Sequence, residues 1–237
     1  MFVPIGTEEP RPRRSLPLVT LGLVGLNVFV FVIELIVLAQ GGDTPLGDFM
    51  TRYGTVPDRV SSGRDLYSLV TSMFVHASVA HIAFNMAYLL PFGDNVEDRL
   101  GHVGYLAFYL FAGVVASLAQ VAIDPASDVP GVGASGAIAG VLAAYVLLFP
   151  QGIVRVFLFL WVWATITRLP ALLFIGFWFF IQFLSGLGSL GAKTTATGGT
   201  AYWAHIGGFV AGLAVVGLVI LFAGRERPER RPDGAPR

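Results

Sequence analysis

The sequence contains no cysteine and a single lysine, Lys193, and only 13% of its 237 residues are charged. Without cysteine there can be no disulfide, no thiolate metal ligand and no cysteine nucleophile. Soluble domains carry about a quarter charged residues, so the charge deficit excludes an ordinary water-soluble domain. Also absent is an internal repeat of the inverted-transporter kind, which weakens a solute-carrier reading. In place of charge stands apolar surface: 55% of the chain is hydrophobic and the mean hydropathy is +0.73. The formal net charge is zero, and no nucleic-acid partner is expected.

About 20 apolar residues cross the roughly 30 Å hydrocarbon core of a bilayer. Six segments qualify as candidate spans: 16–40, 69–92, 103–123, 135–149, 169–187 and 201–223. The stretch 153–165 is apolar but short and interrupted by Arg155, and it reads as a membrane-surface or re-entrant segment. Six spans place both termini on one side. With the N-terminus inside, the inner segments hold Arg11, Arg13, Arg14, Arg99, Arg155, Arg168, Arg225, Arg227, Arg230, Arg231 and Arg237. The outer loops hold Arg52, Arg59, Arg64 and Lys193. The positive-inside rule therefore makes both termini cytoplasmic. The sequence predicts an all-α membrane protein: a disordered cytoplasmic tail 1–15, a six-span core 16–223 and a second disordered tail 224–237. The outer loop 41–66 carries Gly41, Gly42, Pro45, Gly54, Pro57 and Gly63, which predict no regular helix there.

Polar side chains inside a span are costly and mark functional positions by default. His81 and Asn85 are four apart in the second span and share a helix face. By the same helical count His76 points nearly opposite Asn85 and reads as structural. The fourth span opens Gly131-Val132-Gly133-Ala134-Ser135-Gly136, and the sixth opens Ala204-His205-Ile206-Gly207-Gly208. Gly136 with Gly140, and Gly208 with Gly212, form two small-residue surfaces through which helices can approach closely. Packed together they would bring Ser135 and His205 into range. A serine beside an imidazole is the minimum for an activated hydroxyl. A serine at a helix N-terminus also has backbone N–H groups ready for an oxyanion, and His81 and Asn85 could add side-chain donors. Taken singly, each feature has a plain alternative: a serine at a helix start is usually an N-cap, and paired glycines usually mean packing alone.

Taken together, the motifs resemble the rhomboid intramembrane serine proteases of bacterial type. The resemblance rests on His76-x4-His81-x3-Asn85, on Gly133-Ala134-Ser135-Gly136, on Ala204-His205-x2-Gly208-x3-Gly212 and on the turn Gly93-Asp94-Asn95-Val96-Glu97 closed by Gly101. It implies a catalytic Ser135–His205 dyad without an acidic third member, and an oxyanion site from His81, Asn85 and the Ser135 N–H. It further implies no cofactor and no metal, a lateral gate formed by the fifth span with the 188–200 loop as cap, and a place in the inner cell membrane. The substrates would be transmembrane helices of other proteins, cut near their outer ends. A catalytically silent relative that only binds such helices is the alternative. Two departures stand out. Ala139 occupies the place of an aromatic that stacks on the base, leaving the orientation of His205 open, with Asp65, Asp124, Asp128 and Glu34 as acids near enough to weigh. Tyr67-Ser68 stands where a Trp-Arg pair is usual.

Overall fold

The computed structural model describes residues 2–9, 15–160, 163–190 and 201–223. Expectations for Arg11, Arg13 and Arg14, for the tail 224–237 and for most of the 188–200 loop lie outside the described residues. The helices are α1 (Leu18–Gly41), α2 (Asp43–Tyr53), α3 (Pro57–Ser61), α4 (Ser68–Thr71), α5 (Val79–Ile123), α6 (Ser135–Leu148), α7 (Ala171–Ser189) and α8 (Tyr202–Ala223). A short 3-10 turn (Ser72–Phe74) and three strands, β1 (Phe2–Glu8), β2 (Ile153–Leu160) and β3 (Trp163–Pro170), complete the described elements.

The protein is mostly helical, and among the described residues α1, α5, α7 and α8 are long and apolar enough to cross a membrane. α5 runs for 45 residues, about 65 Å at 1.5 Å per residue, twice what a bilayer core needs. It is not straight: Gly101, at φ 70° and ψ 163°, leaves the helical region and divides it into two arms. The central element is α6, only 14 residues long, in which every residue from Gly136 to Tyr145 is buried. Both arms of α5, together with α8, pack around it. α1 and α7 are peripheral. Their outer faces expose Leu21, Phe29 and Val32, and Phe177, Phe180 and Leu184, the apolar surface that a helix requires against lipid.

A buried carboxylate fastens α1 to the turn of α5. The first backbone N–H groups of a helix have no partner within it, and Pro17, the residue before α1, supplies no side-chain cap. Glu97 supplies one from a distance of nearly eighty residues. Its carboxylate accepts the backbone N–H groups of Val19 at 2.8 Å and Thr20 at 2.7 Å, the Thr20 hydroxyl at 2.7 Å, and a ring nitrogen of His102 at 2.6 Å. A negative charge there also meets the positive end of the helix dipole.

The strands are a correction to the sequence reading. Residues 2–8 are a strand and not a disordered tail, and the described part of 153–165 is strand and not helix. Together with 166–170 they form one antiparallel sheet of order β1-β2-β3. In β2 the side chains alternate, with Val154 and Val156 fully buried and Arg155 exposed between them. Arg155 thus marks the period-two pattern of a strand rather than a broken apolar run. β1 tolerates Pro4 because it is an edge strand, and its pairing shifts register between Pro4 and Gly6. The sheet is tied beneath the bundle. Thr7 donates its hydroxyl to the Pro91 carbonyl and accepts from the Asn95 amide, and the Tyr145 hydroxyl donates to the Glu9 carboxylate.

The first outer loop also departs from expectation. α2 forms across Asp43–Tyr53 despite Pro45, which sits in its first turn, where a missing N–H costs nothing. The second span does not begin at 69. Short helical turns fill 68–74, an extended stretch follows, and α5 starts at Val79 with the Ser78 hydroxyl accepting the His81 N–H. The fifth span likewise begins two residues later, at Ala171.

Replacing Glu97 by Gln turns one acceptor oxygen into a donor facing donors. Hydrogen bonds to charged groups contribute about 1.5–3 kcal/mol, so a loss of about 2–3 kcal/mol and a lower melting temperature in detergent are expected. Asp58→Asn, which breaks only the exposed Arg64 ion pair, should leave melting unchanged within a degree or two.

Candidate active site

Ser135 is the first residue of α6, and His205 lies in the first turn of α8. Glycine makes their meeting possible. A Cβ on Gly208 would collide with the Gly136 carbonyl, and one on Gly212 with that of Gly140. The two helices therefore pack backbone against backbone. On the other side of α6 the second arm of α5 is equally near: a Cβ on Gly136 would lie 2.6 Å from the Ala116 Cβ. This approach sets His205 Nε2 2.7 Å from Ser135 Oγ. The imidazole is 7% exposed, whereas Ser135 is only half-buried, so the hydroxyl faces open space and the ring does not. A cavity of about 130 Å³ reaches Ser135 from between the second arm of α5 and the loops, lined among others by Ser72, Gln120, Gly133 and Ala204.

The chain enters α6 through a fixed turn. Gly133 has φ 120°, a conformation that side chains other than glycine's rarely adopt, and its N–H donates to the Ser72 carbonyl at 2.8 Å. Ser72 is in turn bonded to Thr55, and Thr55 pairs with Gly131 across an isolated bridge. The outer loop thus braces the segment that presents Ser135. A Cβ at Gly133 would sit 2.7 Å from the His81 ring and 3.5 Å from Asn85 Nδ2. Both side chains consequently face the segment leading into Ser135. Asn85 is 5% exposed, and its buried Nδ2 has no hydrogen-bond partner among the described residues. An unpaired buried donor is costly, and here it sits near Gly133, two residues before a serine at a helix N-terminus.

His76 stands differently from its helical count. It precedes α5 in the extended stretch, so counting 100° per residue from Asn85 misplaces it. Its ring meets the edge of the His81 ring, with centroids 5.1 Å apart, rather than pointing away from that face. Its backbone N–H donates to the buried Glu34 carboxylate of α1, at 3.1 and 3.3 Å to the two oxygens.

Two residues that the sequence reading missed hold the imidazole. His205 Nδ1 is 2.7 Å from Gln182 Oε1, and the Trp178 ring lies 5.6 Å from the His205 ring at 42°. Both come from α7, where they are four residues apart and share a face. The acids weighed for this role include Glu34, which binds the His76 backbone, and Asp65, which pairs with Arg59 at 3.2 Å. Gln182 was legible in principle as the single amide in an otherwise apolar span, a costly residue of the kind that marks function. With Nδ1–H donating to the amide oxygen, Nε2 carries the lone pair and accepts the Ser135 O–H. The arrangement can draw a proton from the serine as its oxygen attacks a carbonyl.

The class is set by these features: a polytopic helical membrane protein with a serine–histidine pair between its central helices. The rhomboid domain matches residues 63–222, about two-thirds of the sequence, and the chain belongs to the rhomboid family. It is 30% identical over 138 residues to the rhomboid protease GluP of Bacillus subtilis, a match covering 58% of this chain and 26% of that protein. It is 33% identical over 133 residues to the mitochondrial presenilin-associated rhomboid-like protein of Bos taurus, covering 55% and 33% of the two chains. With the mitochondrial rhomboid protein 1 of Saccharomyces cerevisiae it shares 28% identity over 175 residues, covering 72% and 46%. The chain therefore spans between a quarter and a half of the length of these curated relatives.

Replacing Gly133 by Ala should strain the turn by about 1–3 kcal/mol and push on the His81 ring. The rate of Ser135 modification by a fluorophosphonate should fall by at least about tenfold, since small misplacements at a reacting group cost that much or more. A wild-type rate would show that the turn tolerates a side chain and that His81 is not held by it.

Proposed function

We propose that the protein is an intramembrane serine endopeptidase that cuts transmembrane helices of other membrane proteins near their outer ends. The observation that carries this reading is the 2.7 Å contact between Ser135 Oγ and His205 Nε2, in a family that includes a protein named a rhomboid protease. Supporting it are the partial exposure of Ser135 to a cavity and the unpaired Asn85 amide near Gly133, in the segment that leads into Ser135.

In this reading Ser135 Oγ attacks the scissile carbonyl while its proton passes to Nε2 of His205. The negative charge that develops on the carbonyl oxygen is met by the Ser135 backbone N–H at the start of α6, by Asn85 Nδ2 and by His81. Collapse of the tetrahedral intermediate transfers the Nε2 proton to the leaving amine and leaves an ester on Ser135. Water, deprotonated by the same nitrogen, then releases the second product. The cavity beside Ser135 has room for several waters. No cofactor enters any step.

The topology that goes with this function has six crossings, counting the two arms of α5 separately and α6 as a short one, with both termini cytoplasmic and the protein in the inner cell membrane. The sheet and Arg155 then lie on the cytoplasmic side, at the far end of α6 from Ser135, about 20 Å away at 1.5 Å per residue. In the same reading α7 is the lateral gate through which a substrate helix reaches the dyad.

The test is cleavage of a single-span substrate in liposomes. Wild type should cut, whereas Ser135→Ala and His205→Ala should lose at least about a thousandfold, the usual loss when one member of such a unit is removed. Asn85→Ala should lose less, about a hundredfold, because the backbone donor remains. Undiminished cutting by Ser135→Ala would overturn the mechanism. A complete loss in Asn85→Ala accompanied by early melting would make Asn85 a structural residue.

A further inference from the structure

The dyad leaves one question that the rest of the site does not answer: what holds the imidazole in the tautomer that catalysis needs. A histidine can serve as base toward Ser135 only if Nδ1 carries the hydrogen and Nε2 the lone pair. In serine hydrolases with a third residue, a carboxylate accepting from Nδ1 settles this. Here the group facing Nδ1 is Gln182 Oε1 at 2.7 Å. A neutral amide supplies direction without charge.

The setting makes that direction firm. On α7, Phe179 and Gly186 flank Gln182 on the same face. Phe179 stacks on Phe209 of α8 with ring centroids 4.2 Å apart, and Gly186 lies against Ile206, where a Cβ would come 2.9 Å from the Ile206 side chain. Trp178, one turn away, covers the imidazole itself. At the other end of α7, Phe174 stacks with Tyr88 of α5 at 6.1 Å. The amide is thus brought to His205 by a strip of ring and glycine contacts. The opposite face of α7, with Phe177, Phe180 and Leu184, is exposed. Everything that seats α7 on α8 therefore also seats the acceptor on Nδ1.

We propose that Gln182 is the positioning residue of His205, fixing its tautomer and ring plane, so that the base is set for catalysis only while α7 lies against α8. The proposal rests on reading Ser135 and His205 as the catalytic pair. Gln182 touches neither substrate nor the reacting atoms, and acts only through the imidazole. It takes the place left open at Ala139, which is too small to contact the ring as an aromatic would. A displacement of α7 by a few ångströms removes the Nδ1 acceptor, since a hydrogen bond is lost beyond about 3.5 Å. An outward-swung α7 and an oriented base then exclude each other, and water reaching Ser135 through an open α7 meets an idle dyad.

Three variants in lipid bicelles or detergent test this, each measured by fluorophosphonate modification of Ser135, by kcat and KM on a single-span substrate, and by nitrogen NMR of 15N-histidine. Gln182→Leu keeps the volume and removes the acceptor. It should slow both modification and kcat roughly ten- to a hundredfold, the range typical for loss of a group that orients a histidine, with KM within about twofold. Its His205 signals should show both tautomers instead of one. Gln182→Glu, as a carboxylate, keeps an acceptor and has no donor to turn toward Nδ1. It should retain the single tautomer and work within about threefold of wild type. Wild-type rates in Gln182→Leu overturn the proposal, and faster rates do so as well, because they make Gln182 only a latch on α7. Equal impairment in Gln182→Glu and Gln182→Leu overturns it too. Should Gln182→Leu fail to fold, Gln182→Met carries the same comparison. Ser135→Ala in the same assay separates the two levels: if that variant still cuts, the catalytic reading fails, whereas a silent Ser135→Ala beside an unimpaired Gln182→Leu sinks only the positioning role.

Discussion

Side chains at Gly136, Gly140, Gly208 and Gly212 would each collide with a neighbouring backbone or side chain, so α6 and α8 meet at a distance that only glycine permits. That contact brings two short-reaching groups, a serine hydroxyl and an imidazole, within hydrogen-bond distance, where helices of ordinary composition lie 8–10 Å apart. In lipid there is no hydrophobic drive between such helices, and close packing of small residues replaces it. The rest of the site depends on this approach. α6 is short and buried from Gly136 to Tyr145, so its N-terminal turn begins within the bundle, with Ser135 partly open to the cavity. The open side of Ser135 faces a cavity bordered by the loops.

Around this contact the protein spends its few buried polar groups on fixing element ends. Glu97 caps the start of α1 from the turn of α5, and Glu34 holds the backbone of His76 just before α5 begins. The chain of bonds from Thr55 through Ser72 to Gly133 fixes the turn into Ser135. Each of these satisfies a backbone or hydroxyl group that irregular structure would leave unpaired in an apolar setting, where such a group costs most. The two ends of the bundle are thereby different in kind. One is braced by loops around the dyad, and the other is closed by the small sheet and its bonds to Pro91, Asn95 and Tyr145.

Much of this was readable from residues. Apolar run length located α1, the second arm of α5, α6, α7 and α8 to within a few positions, but set the first arm of α5 at 69–92, whereas it runs from Val79 to the kink at Gly101. The run beginning at Leu69 holds two short turns and an extended stretch before Ser78 caps the helix. Helical spacing put His81 and Asn85 on one face and drew attention to the two glycine surfaces, and the structure brings Ser135 and His205 together there. What failed did so for definite reasons. His76 was placed by a helix that does not extend to it. Arg155 reads as an interruption by run length but as one step of a period-two pattern by alternation, and the prolines in residues 4–12 mask a strand that pairs only through distant partners. Gln182 was passed over because attention went to histidines and acids, although an amide alone in an apolar span carries the same warning.

The central claim is that Ser135 is activated by His205 within this packing. Its most direct measurement is peptide mapping by mass spectrometry after the full-length protein, reconstituted in lipid, has reacted with a fluorophosphonate. A single adduct on Ser135, absent when His205 is replaced by Ala, is the predicted result. No adduct, an adduct on another hydroxyl, or modification of Ser135 at an equal rate without His205 would contradict it.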